Sequence, residues 1–394
     1  MRIAYICTDP GIPVFGCKGA SIHIQEVLRS LLKTGADITL FAQRTGGEPP
    51  AELAGVHLHR LPALPDDTPE VRAQAALAAN HHLQQALMRY PRFDVVYERY
   101  ALWSAAGMAY ARQTGCKGIL EVNAPLIEEQ KRYRVLPLEA EALRILRSVL
   151  THAATIVAVS PGVKAYLTQF PQARQRVYVV PNGVDPLRFS QAISIRQARL
   201  THGPPRDSTI GFLGSLKPWH GVETLIDAFA LLHLRGNPVR LLIVGDGPQH
   251  ASLSDRVARL GLSDRVHFTG ALPHTEIPAR LAEMDIAVAP YPALPDFYFS
   301  PLKIYEYMAA GLPVIATRVG HLASVVEEGK TGLLAAPDNP LALCHTLEKL
   351  VVNRTLCCQL GENGHRAIIA NQSWDAVVQR IFRLANSILP EGQA

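Results

Sequence analysis

The chain has 394 residues, with 39 Lys and Arg against 34 Asp and Glu for a formal net charge of +5, and it is 48% hydrophobic and 19% charged. That length suits two domains rather than one, and that composition excludes an intrinsically disordered chain. No apolar run reaches the roughly 18 residues a membrane-spanning helix requires, and no nucleic-acid-binding motif is present. The mild positive charge fits an enzyme that handles anionic phosphates or touches an anionic membrane.

The opening, MRIAYICTDPG, lacks a basic region, a long apolar stretch and a small-residue cleavage site, and reads as a first strand rather than a signal peptide. The cysteines at Cys7, Cys17, Cys116, Cys344, Cys357 and Cys358 form no Cys-x-x-Cys pair and read as free thiols of a reducing compartment. The expected location is therefore the cytoplasm. From there, Arg2 to Cys7, Ile38 to Ala42, Val95 to Tyr97, Gly118 to Val122 and Thr155 to Val159 read as strands. Ile22 to Lys33, Glu70 to Tyr90, Leu138 to His152 and Val163 to Gln169 read as helices. Lys131, Arg132, Arg134, Arg144 and Arg147 form the densest basic cluster, either a solvated helix face or a patch for an anionic lipid surface at the inner face of the membrane. Between Pro181 and Gly203 turn formers cluster and apolar periodicity fades. The alternation restarts at Thr209, with further strands at Arg240 to Val244, Val266 to Phe268, Ile286 to Ala289 and Pro313 to Ala316. The fold class is α/β: two doubly wound domains, residues 1–195 and 196–372, with a last segment, 373–394, whose helix from about Trp374 to Ile388 is expected to cross back to the first domain. Ligands of such sheets bind beyond the carboxyl ends of the strands, which makes the cleft between the two domains the expected site.

Four loops have the composition of a ligand site. PVFGCKGAS, Pro13 to Ser21, places Gly16 and Gly19 ahead of the first long helix, where they permit close backbone approach; it is neither a dinucleotide fingerprint nor a P-loop. GSLKPWHG supplies Gly214, Lys217 as a mobile charge for a diphosphate, and His220 as a second cation, with Trp219 read as packing. VGDGP places Gly245 at a sharp strand exit that either borders a nucleotide base or simply turns the chain. In PYPALPDFYFSPLKIYEYMAAGLPVIAT, Ser300 and Pro301 are helix-start residues, and the N–H groups of Leu302 and Lys303 suit a phosphate, with Lys303 adding charge. Glu306 follows within one turn. A diphosphate repels a carboxylate, so its natural partner is a ribose diol, which donates to it. Each loop also has a structural reading: a plain strand-to-helix turn, a solvent-facing lysine or a surface glutamate.

Taken in order, VSPGVKAYL, VVPNGVDPLRF, GSLKPWHGVETLIDAF, LLIVGDGP, VHFTGALPHTEIPARLAEMDIAVAPY, SPLKIYEYMAAGLPVIAT, GKTGLLAAPDNPLALCHTLEKL and SWDAVVQRI resemble glycosyltransferase family 4 over nearly the full length. The resemblance implies the GT-B fold, two facing Rossmann-like domains, and a retaining, metal-independent transfer from a nucleotide-diphosphate sugar, UDP- or GDP-linked, to a hydroxyl of a glycan, lipid or small molecule. It implies no other cofactor. By that resemblance Lys217 neutralises the donor diphosphate, with His220 near a second basic position, and Glu306 is the ribose-holding second glutamate of a Glu-x7-Glu motif. The first glutamate is replaced by Tyr298, with Asp296 as a candidate substitute. Gly16 and Gly19 match the glycine loop beside the phosphates, Ser324 stands where the family often has a glutamate, and Asn123 lies near the acceptor-side catalytic position in EVNAPLIEE. No Asp-x-Asp metal motif stands at a strand end; Asp66 and Asp67 read as loop. A non-catalytic sugar-nucleotide binder and an epimerase share this fold and remain alternatives, whereas no carboxylate pair marks a glycosidase.

Overall fold

The Val- and Ile-rich runs of the first half pair in parallel as β1 (Arg2–Cys7), β2 (Asp37–Ala42), β3 (Val56–Arg60), β4 (Val95–Arg99), β5 (Lys117–Val122), β6 (Thr155–Ala158) and β7 (Val177–Val179), in the order β3-β2-β1-β4-β5-β6-β7. The second half gives β8 (Ser208–Leu213), β9 (Val239–Val244), β10 (Val266–Phe268), β11 (Ile286–Ala289), β12 (Val314–Thr317) and β13 (Gly332–Ala335), in the order β10-β9-β8-β11-β12-β13. This is a computed structural model, and it describes residues 1–202 and 207–387. One unit comprises Met1–Asn182, Tyr298–Ser300 and the chain from Trp374; the other comprises Gly183–Phe297 and Pro301–Ser373. Among the described residues no helix is long and apolar enough to cross a membrane.

Both sheets are covered by helices, which is why their central strands are buried and mostly apolar rather than alternating, while the edge strands β3 and β10 keep exposed positions. Ile3, Ile6, Val96, Leu120 and Ile156 are fully buried in the first sheet, as are Ile210, Phe212, Ile243 and Val288 in the second. Each such side chain contributes roughly 1.5–3 kcal/mol by burial. Register aligns the strand exits: Cys7 pairs with Ala42, and Leu213 with Val244. The chain order reverses between β1 and β4 and between β8 and β11, the switch points where ligands bind in doubly wound sheets.

One stretch differs from its sequence reading. The region of fading periodicity holds an α-helix, Pro186–His202, while Gly203 lies outside the described residues. Pro186 presets the first turn, Asp185 Oδ1 accepts from Leu187 N at 3.1 Å, and Phe189, Ala192 and Arg196 form a buried stripe at helical spacing. One stripe position is an arginine, whose Nη1 donates to the Gly311 carbonyl at 2.8 Å, so apolar periodicity alone does not reveal the helix.

The final helix, Trp374–Ser387, packs within the first unit; Ile388 lies outside the described residues. Trp374 meets His23 edge-on at 4.9 Å, and Asp375 accepts from Ser30 Oγ at 2.7 Å and pairs with Lys33 at 3.0 Å.

Candidate functional site

In the second unit, two glycines shape the floor of the site. Gly214 follows β8 with φ 143° and Gly245 follows β9 with φ 133°. A Cβ on Gly245 would stand 2.0 Å from the Gly214 carbonyl oxygen, so only glycine lets the two strand exits touch. A Cβ on Gly214 would stand 2.6 Å from Lys303 Nζ, so that ammonium lies directly over the β8 exit.

Lys303 comes from the helix Leu302–Ala309, whose N-cap is Pro301. The sequence reading puts Ser300 at the cap; instead its hydroxyl accepts from Asn182 N at 3.1 Å within the first unit, and its carbonyl accepts from Asn182 Nδ2 at 2.6 Å. The first-turn N–H groups at Leu302 and Lys303 have no intrahelical acceptor, as at any helix start. Lys303 is only 7% exposed, and its Nζ lies 4.1 Å from the Phe212 ring centroid and 5.3 Å from that of Tyr291. Among the described residues it has no hydrogen-bond partner. Burial pushes its pKa down to about 7, against the opposing pull of Glu306.

Glu306, one turn further along, is also buried, and its Oε1 lies 2.8 Å from His274 Nε2. Lys217 is half-exposed, with Nζ 4.8 Å from the Trp219 ring centroid. Trp219 therefore carries a cation–π contact as well as packing. His220 differs from its sequence reading. Its Nδ1 lies 2.5 Å from the Ser215 carbonyl, so Nδ1 carries the hydrogen, and burial together with Lys303 and Lys217 pushes its pKa down to about 3. It is a neutral ring with Nε2 as an acceptor, not a second cation. Asp296 is exposed in the loop after β11, and Ser324 only closes a local turn to the His321 carbonyl at 2.7 Å.

The first unit holds the remaining predicted residues. Gly16 sits in a loop fixed by Gln25 Nε2, which donates to the carbonyls of Val14 at 2.8 Å and Gly16 at 2.9 Å. Gly19 opens the helix Gly19–Lys33 and is exposed. Asn123 follows β5, and its Oδ1 is buried without a hydrogen-bond partner among the described residues. Tyr298 is buried; its hydroxyl donates to Glu129 Oε2 at 3.0 Å, and its carbonyl accepts from Ser160 Oγ at 2.5 Å. A carboxylate thus stands against Tyr298, from a different segment.

Sequence reading missed a buried polar cluster in this unit. His23 Nε2 lies 2.9 Å and Arg99 Nη1 3.2 Å from Glu121 Oε1, and the Tyr97 hydroxyl donates to Oε2. Burial alone would raise the Glu121 pKa, but His23, Arg99 and Tyr97 outweigh it and pull it down to about 2. These residues lie on three separate elements, so no local motif announces them. His274 was missed for the same reason: its partner is 32 positions away.

A cavity of about 490 Å³ in the first unit is lined by Asp9, Arg72, Asn80, Trp103, Glu129 and Arg134 among others. Another, of about 460 Å³, opens beside Thr209, Arg240 and Val266 at the amino ends of β8, β9 and β10, the opposite end of the sheet from Lys303, and holds none of these groups.

Comparison with known proteins is consistent across both halves. Residues 18–188 match the family model described as Glycosyltransferase Family 4, and residues 207–353 match that described as Glycosyl transferases group 1. A 2-deoxystreptamine glucosyltransferase of Streptomyces kanamyceticus is 35% identical over 211 residues, spanning 52% of this chain and about half, 53%, of that enzyme. A D-inositol 3-phosphate glycosyltransferase of Salinispora arenicola is 25% identical over 93% of this chain and 86% of its own length. The solved structure of Anabaena HepE in complex with UDP superposes with a TM-score of 0.71 at 20% identity, covering 98% of this chain and 100% of the other. With two parallel Rossmann-like sheets and matched segments in both halves, the chain belongs to glycosyltransferase family 4 and has the GT-B fold.

Proposed function

We propose that the chain transfers a sugar from a nucleotide-diphosphate sugar to a hydroxyl acceptor, with retention of anomeric configuration and without a divalent ion. The observation that carries this reading is Lys303: a buried ammonium with no hydrogen-bond partner among the described residues, over the β8 exit at the start of a helix. An anion is the ligand such a position lacks, and a diphosphate leaving group supplies one. Glu306 suits the ribose diol of the same donor. Transfer forms a bond from the acceptor oxygen to the anomeric carbon as the bond to the phosphate oxygen breaks. The acceptor proton passes to the departing diphosphate on the same face, and Lys303, Lys217 and the helix-end N–H groups carry the developing charge.

The name of the Anabaena neighbour supports UDP as one donor nucleotide. Two relatives are named for acceptors that are polyhydroxylated rings, 2-deoxystreptamine and D-inositol 3-phosphate, and a cavity of about 490 Å³ accommodates a ring of that size. Such rings stand first in an acceptor panel that also includes glycans and lipids.

The test has two stages. UDP- and GDP-sugars are screened for a rise in melting temperature, and the binding donor is then incubated with the acceptors while nucleotide release and the anomeric signal of the product are followed by NMR. A rise, acceptor-dependent release and a retained anomer are expected. Absence of any rise overturns the donor reading. Binding without release identifies a binder, and donor conversion without acceptor an epimerase.

A further inference from the structure

Buried carboxylates in this chain ordinarily use both oxygens. Glu98 accepts from Ser104 Oγ on Oε1 at 2.7 Å and from Met108 N on Oε2 at 2.9 Å. Glu121 has His23 and Arg99 on Oε1 and Tyr97 on Oε2. This is the expected outcome, because a buried acceptor left unpaired costs free energy. Glu306 departs from it. Its side chain is 10% exposed, Oε1 is engaged by His274 Nε2, and Oε2 has no protein hydrogen-bond partner among the described residues but keeps its remaining exposure to solvent, which leaves it open to a ligand.

His274 is built to make this contact. It opens the short turn His274–Glu276, directly after Pro273, in the loop leaving β10, the edge strand of the second sheet. That loop brings the ring to a helix that follows β11, with 16% of the histidine side chain exposed. Facing a carboxylate oxygen, Nε2 carries a hydrogen whether the ring is neutral or charged. A carboxylate gripped through one oxygen loses rotation about its last torsion, and its second oxygen then points in a fixed direction.

Resting on the donor reading above, we infer that His274 is a positioning residue that orients Glu306 so that its free oxygen receives the vicinal hydroxyls of the donor ribose, making the site selective for ribonucleotides over deoxyribonucleotides. The histidine does not touch the nucleotide in this arrangement; it acts through the carboxylate.

The test is calorimetric binding of UDP against 2′-deoxy-UDP, and GDP against 2′-deoxy-GDP, to the full chain. The wild type is expected to prefer the ribonucleotide by about tenfold or more, as befits hydrogen bonds to a charged acceptor. His274→Ala should bring that ratio close to one while leaving affinity for the deoxynucleotide nearly unchanged. His274→Gln, which retains an N–H donor, should restore part of it. In a Glu306→Ala background, His274→Ala should change the ratio no further, because the two act as one unit. A melting temperature for each variant separates misfolding from lost selectivity, and Gln keeps the test open if Ala fails to fold. The inference is overturned if His274→Ala discriminates like the wild type, or if its effect adds to that of Glu306→Ala. A wild type that binds UDP or GDP without preferring ribose also removes it and leaves the donor reading standing. A wild type that binds neither nucleotide removes both.

Discussion

An ammonium withdrawn from water without a partner raises the free energy of the folded chain, and Lys303 is in that position. Its folded pKa of about 7 lies below the ordinary 10.5, so between those values the unfolded chain binds more protons than the folded one. Stability from this group therefore rises with pH across that window, and the penalty is complete below about pH 7. Lys303→Met, similar in length and uncharged, should raise the melting temperature of the empty protein at pH 7 and flatten its rise toward pH 9, while lowering turnover by about 10²–10³-fold. Nucleotide affinity should weaken as pH rises above 7, because the anion binds the protonated amine. Melts and turnover of the two proteins across pH check both halves, and a Met variant that is less stable at pH 7 and still active defeats the assignment. At this scale the sequence displays residue types and spacing: Lys303 and Glu306 stand three apart on a helix behind a proline-rich loop. It does not display that Lys303 lies between aromatic faces, that His220 is neutral, or that Glu306 is held from the loop after β10, since each of these depends on contacts between distant segments.

Secondary structure was legible wherever burial on both faces makes a strand continuously apolar. β1 runs over the residues read as a strand, and β9, β10 and β11 agree to within one residue. The edge strand β3 is interrupted by histidines and leaves no continuous apolar run, while β7 and β13 are apolar but only three and four residues long. The Pro186–His202 helix was hidden by the arginine in its buried stripe. The final helix is the element whose loss has the clearest energetic consequence. Trp374 is 4% exposed and lies against His23, which itself contacts Glu121 and Asn182. Trp374→Ala should cost about 3–5 kcal/mol, the range for deleting a buried aromatic side chain. A urea melt reads this directly, and a loss below about 1 kcal/mol, typical of a surface substitution, would mean that the helix does not close the first unit's core.

For the whole molecule, the proposed transfer has the chain itself supply the charge that meets the leaving group, through Lys303, Lys217 and a helix start. Transfer should therefore proceed unchanged in EDTA; a loss of about tenfold or more that Mg²⁺ restores would assign that charge to a metal instead. The first unit is also discontinuous in the chain, since its last helix follows the second unit's final residue, Ser373. During synthesis at roughly 5–20 residues per second, the ribosome must make residues 183–373 before Trp374 emerges, a delay on the order of ten to forty seconds. Throughout that interval His23 and the adjacent apolar surface of the nascent first unit await their covering helix. The half of the protein begun first is consequently completed only after the whole of the second unit has been made.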